Sequence, residues 1–151
     1  MIMVTPSLWM EERLHQLKPI LERLIATEPV AFDERLRAKS PAVQGIYAIS
    51  RKDGGPGDHL RAGKADVSLR QRIYQNHYMG DQSGNLRQQL IKDKICSRLE
   101  ETKPWIRQHC QVQFLVIENG KERTIAEHLV LAVLQPRYAE GSRGFPIGEK
   151  V

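Results

Sequence analysis

The sequence predicts a mixed α/β (α+β) domain in which an antiparallel hairpin and a later strand are set among helices. Three observations predict it. Gly45 to Ser50 is apolar and partly β-branched, and beyond a glycine-rich stretch a short run, His59 to Ala62, can pair back on it. Val112 to Glu118 is a further strand-like run, ended by the turn pair Asn119-Gly120. Around these strands, apolar residues recur at the three- and four-residue steps of helix faces.

At 151 residues and 40% hydrophobic content the chain has the size of one domain able to bury its own core. The expected division is a helical extension over 1–40, a main domain over 41–140 and a polar tail over 141–151. No run approaches the length of a membrane span, and the first residues lack the basic start and apolar stretch of a signal peptide, so a cytoplasmic protein with no membrane partner is expected. Cys96 and Cys110 are too few and too far apart for a zinc ligand set, and they are expected to be buried thiols. The formal charge is +5, and the segment Arg61 to Arg98 carries it all, with Arg61, Lys64, Arg70, Arg72, Arg87, Lys92, Lys94 and Arg98 against Asp66, Asp81 and Asp93. A localised basic field of that kind suits a phosphate backbone, although a solvated helical surface would look the same in sequence.

Taking the elements in order, Leu14, Leu17, Leu21 and Leu24 give Ser7 to Thr27 one apolar helix face, with Pro19 inside it. Acidic and basic residues balance over 1–40, so packing on the main domain or pairing with another subunit into a homodimer is expected of this helix. Pro29 and Pro41 bracket a short helix at Phe32 to Ala38. After the hairpin, Ser68 and Gln71 form a capping-box pattern that opens a helix from Leu69 to about His77. Asn85 can cap another, along which Leu86, Leu90, Ile95 and Leu99 keep roughly helical spacing. The last helix, about Glu122 to Leu134, has Ile125, Leu129, Val130, Leu131, Val133 and Leu134 around nearly the whole wheel, which predicts burial. Glu127 falls between Val130 and Leu131, where a carboxylate is costly without a cation or donor.

Gly45-Ile46-Tyr47, the later Arg61-Ala62-Gly63, the helical Leu69-x-x-Arg72-Ile73 and a glutamate nine residues before Pro136-Arg137-Tyr138 occur in the order of the GIY-YIG nuclease motifs. The stretch from Ala42 to Ala139 resembles a domain of that superfamily. The resemblance implies a small three-stranded antiparallel sheet with flanking helices. It also implies hydrolysis of DNA phosphodiesters at a single Mg²⁺ or Mn²⁺ ion. Tyr47 corresponds to the tyrosine that accepts a proton from the attacking water, Arg72, with Arg70 as the competing assignment, to the helical arginine that stabilises the phosphate, and Glu127 to the metal ligand. Lys64 and the metal's own charge are the candidates for favouring the Tyr47 phenolate, and His77, with Asn76 beside it, stands where relatives carry a residue that helps the leaving group or nucleophile. Arg61, Lys64, Arg70, Arg87, Lys92 and Lys94 are the expected DNA contacts. The chain departs from the pattern at Arg61, in place of the second tyrosine, and at Ala139, in place of an asparagine.

Two functions follow. One is a metal-dependent endonuclease, in which Arg61 holds the phosphate and Tyr47 alone accepts the proton. The other is a nucleic-acid-binding module that keeps the fold without turnover. Glu118-Asn119-Gly120-Lys121 sets its lysine one position too late for a PD-(D/E)xK nuclease.

Overall fold

The computed structural model describes residues 6–54, 58–80 and 84–138. Its elements are α1 (Pro6–Ile25), β1 (Val30–Ala31), α2 (Leu36–Lys39), β2 (Gly45–Arg51), β3 (His59–Ala65), a π-helix (Gln71–Tyr78), α3 (Leu86–Lys92), α4 (Leu99–His109), β4 (Cys110–Val116) and α5 (Gly120–Leu134). Ala139 and the tail beyond it lie outside the described residues.

The sheet is four-stranded, in the order β1-β4-β2-β3, with every pairing antiparallel. Three long strands match the strand runs expected from sequence, and the two-residue β1 adds the fourth by pairing Val30 with Val112. Side chains alternate across a strand, so β2 serves both faces. Tyr47 and Ile49 enter one core with Phe32, Leu36, Leu69, Ile73, Leu86 and Leu90. Ile46 and Ala48 enter the other with Leu24, Ala62, Ala126 and Val130. Burial on both sides explains the unbroken apolar run at Gly45 to Ile49. Gly45 is required by packing, because a Cβ there would collide with the Leu115 carbonyl oxygen and stand 2.7 Å from Leu69 Cδ1.

Residues 24–36 of the N-terminal stretch contribute to these cores. Leu24, Phe32 and Leu36 are fully buried, and β1 completes the sheet. Helix α1 continues through Pro19, but its first turns leave Leu8, Trp9, Met10 and Leu14 exposed. Among the described residues, no helix is long and apolar enough to cross a membrane.

The spacing that suggests one helix from Leu86 to Leu99 is interrupted. Lys94 adopts a left-handed φ of 62°, and the Ile95 and Cys96 amides turn back to the Leu90 carbonyl, which closes α3. A separate helix, α4, follows. Its start is fixed by the Glu101 carboxylate, which accepts from the Ser97 and Arg98 amides at 2.8 and 3.2 Å. Helix α5 is not buried all round. Ala126 and Val130 face the sheet, while Ile125 and Val133 are 38% and 54% exposed.

Beyond α5 the chain turns at Gln135, also left-handed, and runs parallel to the start of β3. The Arg137 and Tyr138 amides donate to the His59 and Leu60 carbonyls at 2.9 and 2.8 Å. Both side chains grip Asp93, the Arg137 guanidinium at 2.7 Å and the Tyr138 hydroxyl at 2.6 Å. The Pro-Arg-Tyr motif therefore covers the first half of the β3 edge. The half around Lys64 lies between α5 and the π-helix.

Candidate active site at the edge of the sheet

Tyr47 and Gly63 are direct partners across the β2–β3 pair. A Cβ on Gly63 would stand 3.3 Å from the Tyr47 hydroxyl, so glycine leaves the strand face clear for the phenol. The Tyr47 oxygen lies 2.7 Å from His77 Nε2 and accepts a longer bond, 3.4 Å, from Arg72 Nε. Arg72 and His77 are five residues apart. In an α-helix, neighbours on one face are three or four apart, whereas the i→i+5 bonds of a π-helix bring side chains five apart close together. The Met79 amide bonds to the Tyr74 carbonyl in that way, at 2.9 Å. The π form is thus what lets both side chains meet one phenolic oxygen.

His77 is 1% exposed, and its other ring nitrogen, Nδ1, accepts from the Leu86 amide at 3.1 Å. Burial holds its pKa well below the usual imidazole range, and the Arg61 and Arg72 charges push the same way. Asn85 fastens this arrangement from outside. Its side-chain oxygen caps α3 at the Gln88 amide, and its amide group donates to the Asn76 and Gly80 carbonyls at 2.7 and 2.9 Å.

On the opposite face of β3, the Lys64 backbone N–H donates to Glu127 Oε2 at 3.3 Å. The Lys64 ammonium reaches Thr124 Oγ1 at 3.4 Å and Asp66 at 3.3 Å. Asp66 also accepts from Arg123 Nε at 2.9 Å, and that hydrogen bond, aided by Lys64, holds its carboxyl below the usual range. Arg123 is itself buried and donates to the Ile117 and Glu118 carbonyls, so it ties the start of α5 to the end of β3. Sequence reasoning passed over the Asp66–Arg123 pair. A single arginine one helical turn before Glu127 in an apolar helix was the available signal.

A cleft of about 510 Å³ opens between these two groups, with Lys64, Asp66, Gln71, Arg72, Asn76 and Glu127 on its wall. Lys64, Arg72 and Glu127, expected together from sequence, do share this cleft. Tyr47, at 0% exposure, and His77 are not on its wall; Tyr47 bonds to Arg72, which is, and His77 bonds to Tyr47. Glu127 is half-buried on the cleft wall and not sealed in an apolar helix.

The expected basic face divides. Arg61 is 2% exposed, and its Nη1 donates to the Gly84 carbonyl and Gln89 Oε1 at 2.6 and 2.7 Å. Arg87 is 7% exposed and donates to Thr102, Met79, Gly80 and Leu99. Both arginines are interior cross-links, contrary to their expected place on a DNA-facing surface. Arg70 donates to the Ser40 carbonyl at 2.9 Å, and Arg98 pairs with Glu100 at 3.5 Å. Lys92 and Lys94 are exposed at the end of α3. Cys96 and Cys110 are buried thiols as expected, and burial pushes the Cys110 thiol up to about 12.

Among the described residues, no three His, Cys, Asp or Glu gather into a metal cluster. Of the two carboxylates on the cleft wall, Asp66 is paired with Arg123 and Lys64, and Glu127 accepts a 3.3 Å bond from the Lys64 N–H, which leaves few oxygen donors for an ion. Such hard, sparse donors fit a Mg²⁺ or Mn²⁺ ion that keeps most of its waters, and they do not fit zinc. No family model, curated protein or solved structure matches the chain.

Proposed function

We propose that this chain is a metal-dependent DNA endonuclease that hydrolyses phosphodiester bonds at a GIY-YIG-type site. One observation carries the reading. Residues of the π-helix, β3 and α5 named by separate sequence motifs, Arg72, Lys64 and Glu127, share one cleft wall, and behind it Arg72 bonds to Tyr47 of β2, which bonds to His77. Such a site needs an activated water, positive charge on the phosphate oxygens and stabilisation of the charge that develops on phosphorus.

Glu127 would hold the divalent ion, which supplies Lewis-acid charge to the phosphate when bound. Arg72 and Lys64 offer cationic donors to the phosphate oxygens, and the guanidinium fork suits charge spread over two of them. The Arg72–Tyr47 bond, at 3.4 Å, is long and costs little to exchange for a phosphate. That exchange would free the Tyr47 oxygen of one donor, and as a phenolate, its own proton lost to solvent, it would take the proton of the attacking water. Gln71 and Asn76 bring neutral amide groups to the same wall, suited to holding sugar or base edges.

A non-catalytic nucleic-acid-binding module is the second reading, and the complete burial of Tyr47 favours it. Magnesium-dependent nicking of supercoiled plasmid, comparing the native protein with Glu127→Ala, separates the two. Cleavage should fall by about 10² or more, with DNA binding and the melting temperature retained. Undiminished cleavage by the variant rejects the metal role of Glu127, and a native protein that binds but never nicks supports the module. Marked destabilisation of the variant would instead identify Glu127 as a structural ion-pair residue.

A further inference from the structure

Both ring nitrogens of His77 are engaged, and one partner settles the proton's place. The Leu86 backbone N–H can only donate, so Nδ1 must present its lone pair. Leu86 is the first residue of α3, where the amide has no partner within the helix, and His77 satisfies it. A neutral imidazole carries one proton, which is therefore on Nε2, facing the Tyr47 oxygen at 2.7 Å. The imidazolium would also carry a proton on Nδ1, directed at the Leu86 N–H. The charged groups acting on the ring disfavour it too: Arg61 from β3 and Arg72 from the same helix, while β2 contributes the Tyr47 hydroxyl and α3 the Leu86 amide.

From this geometry we infer that His77 is a positioning residue locked as a hydrogen-bond donor: its Nε2–H and the Arg72 Nε–H both point at Tyr47, which favours the phenolate that, once the phenol has released its own proton to solvent, takes the proton of the attacking water. His77 is then no proton sink for Tyr47, because its only basic nitrogen faces the Leu86 amide on the far side of the ring. Hydrogen bonds donated to an oxygen favour its charged form, so the two donors oppose the cost of a phenolate inside the core. When Arg72 turns to the phosphate, His77 is the donor that stays. The π-helix supplies the register, and Asn85 keeps the Leu86 amide in place. The catalytic part of this inference rests on the endonuclease reading, whereas the donor lock does not.

Two measurements separate these parts. Long-range ¹H–¹⁵N NMR of the His77 ring in the native protein should show Nδ1 unprotonated and Nε2 protonated, with no titration between about pH 6 and 8, where free histidines titrate. The Nδ1–H tautomer, or a ring that titrates in that window, overturns the lock whether or not the protein cuts DNA. For catalysis, His77→Gln keeps a carbonyl for the Leu86 amide and an N–H for Tyr47, whereas His77→Phe keeps only a ring. Single-turnover nicking should stay within about tenfold of native in the glutamine variant and fall by about 10² in the phenylalanine variant, with both remaining folded. A folded glutamine variant as slow as the phenylalanine one overturns the positioning role. If the native protein does not nick at all, the endonuclease reading fails, and the NMR result still decides the lock.

Discussion

Arg87→Ala offers a sharp test of whether the basic segment from Arg61 to Arg98 is a DNA-binding face or an internal framework. Its guanidinium donates to Thr102 Oγ1 at 2.7 Å and to the Met79, Gly80 and Leu99 carbonyls at 2.9, 3.0 and 3.1 Å. Removing it takes a donor from the buried Thr102 hydroxyl and from three part-buried carbonyls, of which Gly80 keeps the Asn85 amide and Met79 belongs to an exposed residue. A buried acceptor left unsatisfied costs about 1–3 kcal/mol. Thr102 also donates to the Leu99 carbonyl and part of the space can admit water, so the sum does not reach its upper limit. A net loss of about 2–3 kcal/mol is expected, which at a urea slope near 2 kcal/mol/M lowers the unfolding midpoint by roughly 1–1.5 M. Arg87→Met, which restores bulk but no donors, should recover only part of it. DNA affinity of the folded variant, and its salt dependence, should match the native protein. An unchanged urea midpoint combined with a weaker, less salt-dependent affinity would show that Arg87 contacts phosphate and that its internal bonds contribute little.

Reversing Lys92 and Lys94 to glutamate tests the exposed part of the same segment. If both touch phosphate, the log–log dependence of affinity on salt should lose about 0.9 per contact, and an unchanged slope places the nucleic acid elsewhere. His77 makes a prediction about pH. Its folded-state pKa lies well below the ordinary value of about 6.5, so below that pH the unfolded chain takes up a proton that the folded chain does not. Stability is therefore held above about pH 6.5 and lost as pH falls, by up to about 2 kcal/mol between pH 7 and 5 relative to His77→Gln. Denaturation curves for the pair across that range check it, and a pH-independent difference would mean that His77 can charge within the fold.

Much of the local structure was legible in the sequence, because the signals act within a few residues. Ser68 does bind the Gln71 amide and Asn85 the Gln88 amide, at 3.2 and 2.9 Å, as their positions before apolar runs suggested. Strand β4 was read to within two residues, and the glycine-rich turn correctly joined β2 to β3. Helix α4 carries no clear apolar pattern, because Glu100, Glu101, Lys103 and Pro104 dilute it; beyond its Glu101 cap, its place rests on tertiary contacts such as fully buried Ile106. Two-residue β1 carries no periodicity at all, and its strand character exists only through pairing with β4.

At the candidate site the division is sharper. The motif resemblance points to Tyr47, Arg72, Lys64, His77 and Glu127 as candidates, but it cannot say which charges face solvent. Arg61 and Lys64 are three residues apart on one strand, so they point to opposite faces: Arg61 goes into the interior against Gln89, and Lys64 goes to the cleft beside Glu127. The sequence spacing of Arg72 and His77 implies different faces of an α-helix. Only the π form, held by packing around Ile73 and Tyr78 and by α3 beyond it, sets both on Tyr47. Composition and short-range pattern determine which groups are present and which segments are helix or strand. Which groups meet, and which charges are buried, depends on close packing between segments distant in sequence, and that is decided by the folded chain as a whole.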